Sequence, residues 1–192
     1  MKATFIETRL LRACAWLSKR AGYPILCFTR KGEYLHIMGT TGYTMVEGDV
    51  LAEFEDWPDG EGKKVSDWGA IKQLARALKR DNDGYPCSVE IGEHDAAVNI
   101  GGGDMTHRAI FTSVGKPPTM KGELTDEPEG SAFMAIDYLD EAVAVMRKFG
   151  MGVNGWRVIP HGKNKAMCFT LEDAPLTKER NIRVLAMTRR ED

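Results

Sequence analysis

Apolar and polar positions along this chain change period in a recurring order. A short alternating run is followed by a stretch with a period near 3.6, then by two or three alternating runs separated by glycine turns. Alternation at every second residue marks strands, and the 3.6 period marks amphipathic helices. The first unit reads as a strand over 3–6, a helix over 8–21 and strands over 25–30, 34–40 and 43–54, with Gly32 and Gly42 at turns. The second reads as a strand over 62–65, a helix over 66–80 capped by Ser66 or Asp67, and strands over 87–91, 96–101 and 106–113. Asn82, Asp83 and Gly84 end that helix. A polar, proline-containing stretch over 116–130 interrupts the pattern as a linker. The third unit then reads as a strand over 132–136, a helix over 137–149 and strands over 155–160, 166–171 and 182–187. The spacing of roughly 60 residues suggests duplicated supersecondary units that share a sheet. The expected organisation is a two-unit domain over 1–115, the linker, and a third unit over 131–192. The fold class is α+β, with antiparallel sheets and helices on one face.

Charge is sorted along the helices. At 100° per residue, Arg9, Arg12, Trp16, Lys19 and Arg20 share one arc of the first helix, opposite Leu10, Cys14, Leu17 and Ala21. In the second, Lys72, Arg76, Lys79 and Arg80 lie across from Ile71, Leu74 and Leu78. Two cationic stripes free of acids suggest a surface for a polyanion, most plausibly nucleic acid. The ordinary alternative is a pair of solvated helix faces. Trp16 could stack on a sugar or base, but packing at a contact suits it better. The third helix repeats the apolar stripe through Tyr138, Leu139, Ala142, Val145 and Met146. Its polar side mixes Asp137, Asp140 and Glu141 with Arg147 and Lys148, which compensates the helix dipole and gives no reason to place it against phosphates.

Composition sets the outer limits. The 192 residues are 43% hydrophobic and 28% charged, enough for a core, and the net charge of −2 argues against indiscriminate coating of nucleic acid. Acids gather in 47–61 and 123–129, leaving the helix faces positive. Cys14, Cys27, Cys87 and Cys168 form no close pair and read as reduced, buried thiols of a cytoplasmic protein. No apolar run approaches the roughly 18 to 20 residues that span a bilayer. Catalysis finds no constellation: His36, His94, His107 and His161 are scattered, no metal-ligand spacing occurs, and Gly101, Gly102 and Gly103 read as a hairpin turn. No cofactor is implied.

The order of these segments resembles the bacterial sliding clamp, the beta subunit of the replicative DNA polymerase. The resemblance rests on Leu10-Leu11-Arg12, Tyr23-Pro24-Ile25-Leu26 and Leu35 to Gly42 in the first unit. In the second it rests on Val65-Ser66, Ile71, Leu74, Val89 to Gly92 and Phe111-Thr112-Ser113. In the third it rests on Phe133 to Leu139 and Arg183 to Met187. Bacterial clamps carry three domains of two units each, so this chain resembles one complete domain followed by the closing half of another. The small size suggests a phage or mobile-element form.

The resemblance implies the clamp fold and a processivity factor that holds duplex DNA non-specifically, with no chemistry of its own. Arg9, Arg12, Lys19, Arg20, Lys72, Arg76, Lys79 and Arg80 would contact phosphates. It also implies an apolar cleft for peptide motifs of a polymerase or clamp loader, formed by Thr40, Gly42, Tyr43, Met45 and Met187. A homo-oligomer is expected. Four copies would supply the twelve units of the family's rings, although three units per chain leave simple closure open. The rival reading is a clamp-mimicking interaction module that binds polymerase or the host clamp without encircling DNA.

Overall fold

The computed structural model describes residues 1–22, 24–78, 85–102, 105–118, 134, 136–149, 155–161, 166–171 and 179–187. The first unit comprises β1 (Lys2–Phe5), α1 (Arg9–Ser18), β2 (Ile25–Lys31), β3 (Tyr34–Thr40), β4 (Thr44–Leu51) and the short β5 (Glu53–Glu55). The second comprises β6 (Gly62–Val65), α2 (Trp68–Ala77), β7 (Cys87–Ile91), β8 (Ala96–Gly102), β9 (Met105–Phe111) and β10 (Val114–Gly115). In the third, α3 (Ile136–Met146) tightens into a 3-10 turn at Arg147–Phe149, followed by β11 (Trp156–Pro160), β12 (Met167–Leu171) and β13 (Glu179–Ala186).

The strands form two antiparallel sheets, ordered β5-β1-β7-β8-β9 and β10-β6-β2-β3-β4-β13-β12-β11. The first two units exchange their opening strands. β1 pairs with β7 of the second unit, and β6 pairs with β2 of the first. The third unit is not appended at the end of this arrangement. Its β13 lies against β4, so strands far apart in the sequence share one sheet. β4 is thereby flanked on both sides, and its residues Thr44 to Val50 are all buried.

The expected elements recur with shifted ends. β3, β6 and β7 match their predicted spans, whereas the run over 43–54 breaks at Ala52 into β4 and β5. Helix α2 is shorter than the apolar period suggests. Asp67 caps it, its Oδ1 accepting from the Ala70 amide at 2.8 Å. The predicted helix end at 82–84, most of the predicted linker and most of the predicted strand over 132–136 lie outside the described residues.

The largest departure concerns α1, which the helical period presents as a surface helix with one wet face. Only Arg9 and Trp16 of its ten residues are partly exposed; the other eight are buried. It packs on β3 and β4, against α2, and against α3 with its 3-10 turn. Burying each of Leu10, Leu11 and Leu17 stabilises the fold by about 1.5–3 kcal/mol. The approach to β3 is close enough to require glycine: a Cβ on Gly39 would lie 2.6 Å from the Cys14 carbonyl oxygen. Among the described residues no helix is long and apolar enough to cross a membrane.

Candidate nucleic-acid interface

The charged residues of the two helices meet different fates. On α2 the arrangement follows the sequence reading. Ala70, Ile71 and Leu74 are buried, Arg76 is exposed, and the Lys72 ammonium sits 4.5 Å from the centre of the exposed Trp68 ring. Lys79 and Arg80 lie outside the described residues.

On α1 the third unit claims part of the positive arc. Arg12 is 6% exposed, and its Nη2 donates to the Lys148 carbonyl at 2.8 Å. The Arg9 Nε lies 3.8 Å from Glu179, whose other oxygen accepts from the Leu10 amide at 2.7 Å. Thr8 makes no side-chain cap, so this carboxylate serves one of the open amides at the start of α1 from the far end of the chain. The Arg20 Nε lies 3.4 Å from Glu141 on α3. The stripe is free of acids only within its own helix; the acids arrive from residues distant in sequence. Lys19 is half-buried at the helix end.

Trp16 is the centre of this region. The Arg20 guanidinium lies 4.9 Å from its ring centroid and the Lys148 ammonium 4.8 Å. The sequence gives no reason to expect a cation from the third unit at the positive surface, yet the 3-10 turn delivers Lys148 to the polar side of α1. The signal available in the sequence is Trp16 itself, an aromatic side chain in an otherwise cationic arc.

The candidate peptide cleft is partly assembled. Gly42 has φ of 95° in the turn between β3 and β4, and its amide donates to Thr40 Oγ1 at 2.9 Å. The Met187 amide donates to the Tyr43 carbonyl at 2.8 Å, bringing both residues to one edge. Tyr43 is 60% exposed and Met187 43%. Tyr43 stacks on Tyr138 of α3, with ring centroids 5.3 Å apart. Met45 instead is buried in a separate cluster with Cys27, Met38, Ile159, Cys168 and Leu185.

A charge network that the sequence does not reveal bridges β3, β4 and β13. His36 Nδ1 lies 2.7 Å from Asp49, and its Nε2 lies 3.4 Å from Glu47. Arg183 on β13 pairs with Glu47 at 2.5 Å, and Asn181 donates to Asp49 at 2.6 Å. Lys31 and Arg180 approach Asp49 at 3.9 and 4.0 Å. Burial by itself lowers the His36 pKa, but the hydrogen bonds with Asp49 and Glu47 outweigh it and raise the value. Burial pushes both carboxyls upward, and their interactions with His36, Arg183 and Asn181 bring them below their ordinary values. Burial pushes the Cys27 thiol up to about 12 and raises Cys14 and Cys87 as well, so these thiols stay protonated and inert.

No protein-family model matches the sequence, and no characterised sequence is detectably similar to it. Its likeness to solved structures spans the whole chain. The structure of a PCNA2–PCNA3 complex from Sulfolobus tokodaii superposes with a TM-score of 0.64 at 10% identity, covering all of both chains. The DNA polymerase III subunit beta from Pseudomonas aeruginosa gives 0.61 at 14% identity, with 67% of that longer chain covered. The A. fulgidus PCNA bound to the C-terminal region of FEN-1 gives 0.58 at 11% identity over 99% of its length. The chain has the DNA sliding-clamp fold. Within the clamp fold, the exchange of β1 and β6 makes the first two units interdependent, and the β4–β13 pairing joins the third unit to them.

Proposed function

We propose that this protein is a processivity factor that holds duplex DNA without reading its sequence and tethers a replication protein to it. The observation that carries the reading is the adjacency of α1 and α2 in a clamp fold, with Lys72 and Arg76 on the open side of α2. Lysine and arginine side chains against phosphates give affinity without base readout. The phosphate-binding residues we assign are Lys19, Arg20, Lys72 and Arg76, with Lys148 added through its place on Trp16. Arg9 borders this surface, and Lys79 and Arg80 remain candidates from the sequence alone. Arg12 is left out, because its guanidinium is buried against the third unit.

Partner docking is assigned to the edge formed by Thr40, Gly42, Tyr43 and Met187, with Met45 behind it. That a clamp-fold protein is seen with the C-terminal region of FEN-1 supports a peptide partner for this chain too. The reading gives the chain a scaffolding role with no reaction of its own, exercised as a homo-oligomer.

The test is loading. The protein should remain on nicked circular duplex after a salt wash and slide off the same DNA once linearised. Equal loss from both forms would overturn the encircling role.

The interaction module is a second reading with an observation behind it. Glu179 and Glu141 neutralise Arg9 and Arg20, and the net charge is −2, so the surface left for DNA is modest. Polymerase or host-clamp capture without any salt-dependent DNA affinity would favour that reading.

A further inference from the structure

Trp68 begins α2 and is 52% exposed, so packing accounts for little of its indole. The helix buries Ala70, Ile71 and Leu74, and Trp68 lies off the stripe that holds α2 in place. Lys72 and Arg76 follow it at intervals of four residues and share its side of the helix. The Lys72 ammonium rests 4.5 Å from the ring centre, yet the residue stays open to solvent. α2 carries no acid. Asp67, just before it, is committed: one oxygen accepts from the Ala70 amide and the other from the Thr112 hydroxyl.

The other tryptophan of this surface belongs to the same end of the helix pair. Ser18, the last residue of α1, donates to the Ile25 carbonyl at 2.6 Å. Ser66, just before α2, donates to the Pro24 carbonyl at 2.8 Å. Neighbouring carbonyls at the start of β2 therefore anchor both the end of α1 and the start of α2. This brings Trp16, with Arg20 and Lys148 against its ring, to the end of the pair where Trp68 carries Lys72. Aromatic rings interleaved with cations on one surface are what a single strand of nucleic acid requires.

Phosphates need only the cations. An open ring face adds little to the binding of a duplex, whose bases stack on one another and present only their edges in the grooves. It adds much for a strand whose bases are free, because every base has a π-face and stacking needs no particular sequence. We propose that Trp68 stacks on an unpaired base, with Lys72 and Arg76 on the phosphates beside it, so that the helix pair holds single-stranded DNA as well as duplex. Trp16 is not the stacking ring. Arg20 and Lys148 both lie against it, and it keeps them at the polar side of α1. A junction between duplex and single strand presents both forms at once and suits this surface. The assignment rests on the reading of α1 and α2 as the DNA-facing helices, and adds a preference that cations alone cannot supply.

The test uses the full-length protein and fluorescence anisotropy with three probes of one length: oligothymidine, a random duplex, and a strand in which abasic sugars replace the bases. Trp68→Ala should weaken oligothymidine binding about tenfold, the scale of one lost base–aromatic stack, and leave the duplex within about twofold of the parent. Trp68→Phe keeps a ring and should recover most of the loss. The parent should bind the abasic strand about as weakly as Trp68→Ala binds oligothymidine, since each pair lacks one side of the stack. An unchanged oligothymidine affinity in Trp68→Ala would overturn the proposal. So would an equal loss on duplex, the sign of a packing role, or a parent that binds the abasic strand as well as oligothymidine. The two readings separate in the same samples. Trp68-dependent binding of oligothymidine by a protein lost equally from circular and linear duplex leaves the stack standing and removes the encircling role. Retention on circles with no effect of Trp68 does the reverse.

Discussion

The Arg12 guanidinium on α1 is bonded to the carbonyl of Lys148, a residue of the third unit. A side chain that the helical period places on a phosphate-facing arc is a structural tie between units. Arg12→Ala should therefore destabilise the protein by about 2 kcal/mol, the scale of a hydrogen bond to a charged group whose partner is left unpaired. Urea melts check this, with Arg76→Ala as the comparison, expected within about 0.5 kcal/mol of the parent because Arg76 is exposed. Equal stability of the two variants would remove the structural role.

Salt dependence addresses the open cations. Removing one phosphate-binding cation should reduce the slope of log affinity against log salt by about 1. Arg76→Gln and Lys72→Gln should each do so on random duplex, with unchanged melting temperatures. If both slopes match the parent, α2 does not face DNA.

Gly39 offers a packing test unrelated to function. Its added methyl would meet backbone atoms of Cys14, all within 2.9 Å, and backbone cannot move aside as a flexible side chain can. Gly39→Ala should cost about 1–3 kcal/mol, the range for overpacking a well-filled site. A midpoint shift in denaturant, or its absence, decides the matter.

The network at β4 and β13 gives stability a pH window. His36 has a folded pKa above its ordinary 6.5, so its contribution is full below that value and fades as pH rises through the raised one. Glu47 and Asp49 have folded values below their ordinary 4.5 and 3.8, so theirs is present above those values and fades as pH falls. The junction should be firmest between the two regions. Melting temperatures from about pH 5.5 to 9 should decline for the parent, and His36→Gln should flatten the decline. Parallel curves would show that His36 plays no part.

Local patterning carries most of the fold. Strand spans such as Tyr34–Thr40 and Cys87–Ile91 follow from alternation bounded by turn residues, because a sheet with one buried face enforces that period. The order of units carries the resemblance to clamps, which the superpositions bear out for the fold. The pairing of β4 with β13 is not legible, since nothing in either strand names its neighbour. The same gap explains the site. Lys72 and Arg76 read correctly as the polar side of α2, where burial is set by the helix's own stripe. Arg12 and Trp16 do not, because what covers them comes from Lys148 and its turn.

The partnership of β4 and β13 also bears on how the protein is made. β4 is complete at Leu51, whereas the strand that covers its outer edge begins only at Glu179. On the ribosome, the first unit must therefore wait with an unpaired edge until the strand beginning at Glu179 has emerged. Non-local pairing of this kind slows folding, and an edge left open in the interval invites strands from other nascent chains. The same junction that unites the native molecule makes its synthesis the moment of greatest exposure to aggregation.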